Sequence, residues 1–207
     1  MKRILSTLMV FATCISFVLV DTSAQNRSYG SSRRQKAVEE WHQDMAKFRA
    51  RSEANRQLHE LADSIAGVQA GAALRNQDFV FMADNVTFKN GTTVFVDNTT
   101  TFISVKGKRA VVQISPSNYV SGPNGLGGVT VDGMVSDYKV MTDKKGRMTM
   151  SMNVMGIGVN AQVEITIYPG GNSGQATVYP NFNSNTVWLS GNIVPYQSAD
   201  IIEGSSL

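Results

Sequence analysis

A loop from Ser115 to Gly128, with the sequence SPSNYVSGPNGLGG, carries the residue types best suited to bind a ligand. Long glycine-bearing loops concentrate binding residues, and Tyr119 offers a rigid aromatic face with a hydroxyl group. The glycines do not form a phosphate-binding loop, since Val129 and Thr130 follow where that motif has Lys and a hydroxyl residue. The alternative is that the glycines only allow close packing against a neighbouring strand. The candidate ligand-binding residues are Asn118, Tyr119, Gly122, Gly125, Gly127 and Gly128.

The segment from Gly156 to Ala161, GIGVNA, fits one form of the dinucleotide-binding fingerprint. That fingerprint needs a helix directly after it, because the pyrophosphate binds free N–H groups at the start of the helix. The run that follows, from Val163 to Ile167, alternates apolar and polar residues and is typical of a strand. We therefore predict a hairpin link here and expect no cofactor.

Three methionines, Met148, Met150 and Met152, alternate along the first arm of the same hairpin. On a strand they would share one face and could present three thioethers to a soft ion such as Cu(I). Val154 continues that face, and methionine often fills irregular apolar cores. The pattern favours core packing, so we expect no metal site.

The sequence contains no recognisable catalytic constellation. Both histidines, His42 and His59, precede Asn76, which excludes a Ser-His-Asp triad from the part of the chain after it. Asp132, Asp137 and Asp143 are spread over separate strands and turns without the oxygen-rich spacing of a calcium loop. We therefore expect a protein that is not an enzyme.

The start of the chain is typical of a secretory signal. Lys2 and Arg3 precede an apolar run from Ile4 to Val20, and small residues follow as far as Ala24. We expect cleavage after Ala24 and a periplasmic or secreted protein without a transmembrane segment in its mature form. The alternative is an uncleaved membrane anchor, because the run approaches the length that spans a bilayer.

Cys14 lies inside this signal and is the only cysteine in the chain. Ala12-Thr13-Cys14 loosely resembles a lipoprotein signal, so a lipid anchor at Cys14 is a second alternative. The apolar residues that continue after Cys14 favour ordinary cleavage. A mature chain would then fold without disulfides, by packing alone.

Residues 25–76 are predicted to form a charged helical arm. Apolar residues recur at spacings of three and four in two groups, with a polar stretch between them that predicts either a break or one long helix. Gly67 and Gly71 lower the helix propensity near the end of the arm. The two groups are Val38, Trp41, Met45, Phe48 and Leu58, Leu61, Ile65, Val68.

The arm has two possible roles. It could cover an open edge or end of the following domain, or Trp41, Met45 and Phe48 could form a partner-binding face. Basic residues outnumber acidic ones in the arm but not in the rest of the chain. Binding to nucleic acid is therefore not expected.

Residues 77–196 are predicted to form an antiparallel β domain, a sandwich or a barrel. About ten short alternating runs are separated by Gly/Asn turns, with no helical pattern between them. The most regular pair is the hairpin from Arg147 to Tyr168. Residues 197–207 form a tail without a clear period.

Several segments together resemble a bacterial family of unknown function, the family numbered 4251. They include FVFMADNVTF, NYVSGPNGLGGVTVDG and AQVEITIYPGGNSGQATVYP. The resemblance implies an exported envelope protein with a mostly β domain after a charged helix, and it brings no known activity or catalytic residue. We expect a non-enzymatic module that binds a ligand or partner. The alternative is an assembly component that docks another envelope protein through the helix.

Overall fold

The computed structural model describes residues 2–115, 128–157, 160–181 and 186–206, with side-chain environments from residue 32 onward. The chain divides into two compact units, Met1–Gln57 and Leu58–Leu207. Helix α1, Lys2–Arg75, is continuous through the polar stretch in its middle, which is the second of the two alternatives that the sequence left open.

The first unit contains the helix up to Gln57. Its side chains from residue 32 are mostly exposed, as its charge-rich sequence requires. Trp41 and His42 make an edge-on ring contact with centroids 5.0 Å apart, and Lys47 lies 3.5 Å from Asp44. Across the described ranges, no helix has an apolar window long enough to cross a bilayer.

The second unit is built on an antiparallel barrel, which confirms the predicted mainly β class and decides between sandwich and barrel. Strands β1 and β3 to β9 pair in sequence order, and β9 closes on β1. The short β2 is an extra strand beside β1. The bounds are β1 Asp78–Phe88, β2 Thr93–Phe95, β3 Phe102–Lys106, β4 Arg109–Ile114, β5 Val129–Thr142, β6 Met148–Gly156, β7 Asn160–Ile167, β8 Ser173–Pro180 and β9 Val187–Pro195.

Two strands are longer than the alternation predicts. β1 continues through Asp84, where its register against β9 shifts by one residue, and β5 continues through Asp132. At Asp84 a bulge interrupts the alternation of β1 without ending the hydrogen-bonded ladder. In β5, Asp132 and Gly133 interrupt the apolar run, although both stay in regular register with β4. Each of these strands therefore resembles two shorter strands in the sequence.

The barrel interior is filled by the inward faces of its strands. Met148, Met150 and Met152 are at most 9% exposed and pack among the core residues, as their alternation predicts. Phe79 and Phe81 are fully buried on the facing strand β1. Alternation places every second side chain inside, and the large thioether and phenyl groups occupy that space.

A β-bulge in β5 turns Tyr138 toward the core. Ser136 pairs with Asn153 and Lys139 with Ser151, so two residues of β5 face one residue of β6. Asp137 in the bulge adopts a φ of 54°. Tyr138 consequently packs against the core, and its hydroxyl donates a hydrogen bond to the Leu74 carbonyl oxygen in the last turn of α1.

The end of the chain covers an apolar patch on the outside of the barrel. Val80, Phe102 and Val111 are buried there beneath residues 196–201. Gln113, which is fully buried, fastens the following residues: its amide donates to the Ile202 carbonyl oxygen at 2.8 Å. The side-chain oxygen of Gln113 also accepts from the N–H of Gly204 at 2.7 Å. The predicted irregular tail is therefore an ordered strap.

Replacing Tyr138 with Phe should lower the free energy of unfolding by about 1 kcal/mol, because one buried hydrogen bond is lost. Burial raises the pKa of Tyr138 above its ordinary value. The stabilisation is therefore complete below about pH 10 and declines as the pH rises toward the higher folded pKa. Urea unfolding at pH 8 and above pH 10 measures both effects, and Tyr179→Phe, at a phenol that is 42% exposed, is the control. Equal stability of the wild type and Tyr138→Phe would show that the hydrogen bond of the Tyr138 hydroxyl does not stabilise the fold.

Replacing Gln113 with Leu should cost about 3 kcal/mol, because backbone groups of the strap lose buried partners. Hydrogen exchange at the amide of Gly204 should also become fast, since its acceptor is gone. Gln162→Leu changes an exposed glutamine on β7 and should leave both quantities near the wild-type values. Unchanged protection of Gly204 in the Gln113 variant would contradict this account of the strap.

Candidate functional site: the exposed face of the helix end

The last turns of α1 close one end of the barrel. Ala70, Ala73 and Leu74 are buried and belong to the same core as the inward-facing strand residues. Gly67 and Gly71 allow the approach. A Cβ atom on Gly67 would lie 2.8 Å from the Gly171 carbonyl oxygen, and one on Gly71 would lie 3.1 Å from the Met148 sulfur. The two glycines weaken the isolated helix but permit it to dock.

A stripe of large apolar residues lies on the other side of this docked segment. With 3.6 residues per turn, side chains three and four apart share one face, and this face points away from Ala70 and Leu74. The stripe stays open to solvent within the described structure, with exposures of 64%, 62%, 58% and 72% for Leu58, Leu61, Ile65 and Val68.

The spacing and the flanks of this helix stripe are typical of a helix-packing seam. The intervals of three, four and three residues are those of heptad positions a, d, a and d. The flanking residues Ala62, Ser64 and Gln69 are small or uncharged. A second helix could therefore approach closely without meeting like charges.

A groove of about 360 Å³ runs beside the stripe, between α1 and the strand connections at the covered end of the barrel. Gly67, Val68 and Gly71 line one wall, and Pro169 lies opposite. Arg75 also lines it, with its guanidinium 3.9 Å from the Met148 sulfur. A cation in the last turn also complements the helix dipole, so Arg75 has a structural reason to be there.

The predicted ligand-binding loop is described only at its base. Asn118, Tyr119, Gly122, Gly125 and Gly127 lie outside the described residues, and their binding role stays a prediction.

The two ends of the loop are close to neighbouring backbone. The Thr101 hydroxyl accepts a hydrogen bond from the Ser115 N–H at 3.2 Å. A Cβ on Gly128 would lie 1.9 Å from the Ile114 carbonyl oxygen. Close packing therefore requires a residue without a side chain at position 128. This agrees with the alternative interpretation, in which the glycines of the loop allow close packing against a neighbouring strand.

The predicted partner-binding residues of the arm lie in the first unit. Trp41 and Phe48 are 58% and 66% exposed, and Met45 is half-buried. Their binding role stays a prediction. The periodicity of the helix stripe is visible in the sequence, and its heptad spacing is the signal by which this surface could have been predicted as a site.

Two clusters of charged groups make structural contacts. The Arg109 guanidinium donates to Asp132 and to Glu203 at 2.9 Å each, which ties the strap to β4 and β5. The Asp143 carboxylate accepts from the backbone N–H of Arg147, which lowers its pKa and fixes the β5–β6 turn. Within the described ranges, no three His, Cys, Asp or Glu side chains form a potential metal site.

These features define a helix-capped, eight-stranded antiparallel barrel. Residues 65–193 match the family described as a domain of unknown function (DUF4251). Because the match spans more than half of the chain, the protein belongs to the DUF4251 family, which confirms the resemblance found in the sequence. The matched range begins at Ile65 and so includes the docked end of the helix.

A solved relative agrees with this assignment. A DUF4251 family protein from Bacteroides eggerthii DSM 20697, whose crystal structure is known, is 45% identical in sequence to this chain. The two structures superpose with a TM-score of 0.61. The alignment covers 68% of this chain and 95% of the other. No curated protein matches the chain.

Replacing Gly67 with Val should lower the free energy of unfolding by about 1–3 kcal/mol, because the new side chain would collide with backbone at Gly171. Gln69→Val places the same side chain at an exposed position of the same helix and should cost only about 0.5 kcal/mol. Thermal and urea unfolding of the two variants measure the loss of stability in each. Equal losses would mean that Gly67 is not needed for docking.

Proposed function

We propose that this protein is an exported, non-enzymatic module that binds another envelope protein by packing a helix of that partner against the helix stripe. The observation that carries the proposal is the stripe itself, in which Leu58, Leu61, Ile65 and Val68 are each more than half exposed. A contiguous exposed apolar surface with heptad spacing is typical of a protein-binding face.

The barrel supports this function as an anchor. Its core holds Ala70 and Leu74, so the rotation of the helix about its own axis is determined at this end. The stripe is then presented outward rather than turning to the core. A rigid scaffold that displays an ordered apolar face reduces the entropy lost when a partner binds.

Export rests on the sequence. The basic start, the apolar run to Val20 and the small residues ending at Ala24 support cleavage and a periplasmic or secreted location. The non-enzymatic role is supported by the use of the described charged groups, such as Arg109 and Asp143, in structural contacts.

Ligand binding by the loop from Ser115 to Gly128 is the second candidate function. It is favoured by the fixed base of that loop at Thr101 and Gly128. A firmly held base is a common way to present a binding loop.

Site-specific photo-crosslinking in the native bacterium tests the main proposal. A benzophenone side chain at Leu61 should form a discrete adduct with one envelope protein, through an apolar-striped helix identified by mass spectrometry. Ile65→Lys, which places a charge in the stripe, should reduce that adduct at least about tenfold.

The matched control carries the same probe at His59, an exposed position of this helix outside the stripe. Adducts of equal yield from both positions, or none from Leu61, would overturn the proposal. An adduct of twice the chain mass would replace the separate partner with a second copy and would also overturn it.

A further inference from the structure

The outer edge of β2 carries backbone groups that the described sheet does not use. β2 is the terminal strand and pairs only with β1. The Phe88 N–H donates to the Thr92 carbonyl oxygen at 2.9 Å. Hydrogen-bonded pairs alternate along an antiparallel ladder, so the N–H and C=O groups of Thr93 and Phe95 point away from β1.

The side chains on this edge are suited to association. Phe95 is 88% exposed, which is unusual for a phenylalanine on a strand. The segment 92–96, TTVFV, consists of β-branched and aromatic residues without charge or proline. Such a segment lacks the charges and prolines that usually prevent an edge strand from pairing.

We propose that β2 pairs antiparallel with β2 of a second copy of this chain, about a two-fold axis at Val94. In that register Thr93 lies opposite Phe95 of the second copy, and each such pair exchanges two hydrogen bonds. The two-fold axis generates both pairs, so four backbone hydrogen bonds form.

The edge fits a second copy because it is complementary to itself. The groups that point outward, at Thr93 and Phe95, are equidistant from Val94, as an isologous contact requires. No charge within 92–96 opposes a second identical segment. Phe95 would pack on Thr93 of the other copy, which covers its exposed ring.

A three-residue edge makes a small interface, so the dimer should be weak and concentration-dependent. This contact is separate from the helix stripe and does not rest on the proposed partner.

Sedimentation velocity of the purified full chain over about 1–500 μM tests the proposal, since small interfaces dissociate in this range. We expect a monomer–dimer equilibrium. Phe95→Lys should raise the dissociation constant at least about tenfold, through lost packing and added charge. Thr93→Pro removes one outward N–H and should also raise the dissociation constant, because one hydrogen bond between the two copies is lost from each pair. The strand itself should tolerate the change, since proline is accepted where the N–H faces solvent.

Ile157→Lys is the matched control, because Ile157 is 89% exposed and the charge change is the same. It should leave the dissociation constant unchanged. Val94→Cys, in a Cys14→Ser background, should form a disulfide-linked dimer under mild oxidation, whereas Ile157→Cys in the same background should not.

Two results would overturn the proposal. One is a monomer at every concentration. The other is a dimer that Phe95→Lys leaves intact, and its dissociation by Leu61→Lys would assign the contact to the helix stripe instead.

Discussion

The closure of one barrel end by a helix is the contact on which the second unit depends. A barrel lined with apolar side chains exposes its interior to water unless each end is covered, and hydration of that surface is costly. Leu74 and the small residues Ala70 and Ala73 supply the cover. Because Gly67 and Gly71 have no side chains, the helix backbone comes close enough for these groups to reach the core.

The helix end and the sheet are adapted to one another. The bulge at Asp137 reverses the alternation of β5, so that Tyr138 points inward and meets the final helical turn at the Leu74 carbonyl. At the helix terminus Gln77 adopts a φ of 55°, and its carbonyl oxygen accepts from the Gly107 N–H at 2.7 Å. The Leu74 carbonyl oxygen accepts from both the Gln77 N–H and the Tyr138 hydroxyl, so the unusual backbone at Gln77 and Asp137 helps to satisfy a carbonyl group at the end of the helix.

The outside of the barrel has a second packing layer. β3 and β4 are buried on both faces, which is unusual for an antiparallel sheet with one face toward water. The strap over Val80, Phe102 and Val111 explains this, because these side chains are covered by the last residues of the chain. Gln113 holds the strap as part of a buried hydrogen-bond network that includes the Thr130 hydroxyl, and the loss of such bonds away from water is costly.

The two sides of the docked helix segment differ in what they contribute. The side toward the core contributes to folding stability, and the large apolar residues of the opposite side are each more than half exposed. Large apolar groups left in water contribute nothing to folding. Their regular heptad spacing is the basis of the proposed binding role.

The sequence by itself determined the elements that depend on local periodicity. The alternation from Met148 to Val154 predicted a strand with buried methionines, and the absence of crossover helices predicted antiparallel pairing. The family could also be recognised from the order of its segments. These properties are local because propensity and pattern act over a few residues.

Tertiary structure alone decided which surfaces meet. The closure of β1 on β9 depends on strand twist and stagger, summed over the whole sheet. The docking of Leu74, the inward turn of Tyr138 and the burial of Gln113 each require a partner more than sixty residues away in the sequence. The helix periodicity was visible in the sequence, but which face is exposed became clear only from the position of the barrel, because burial is a property of the assembled contacts.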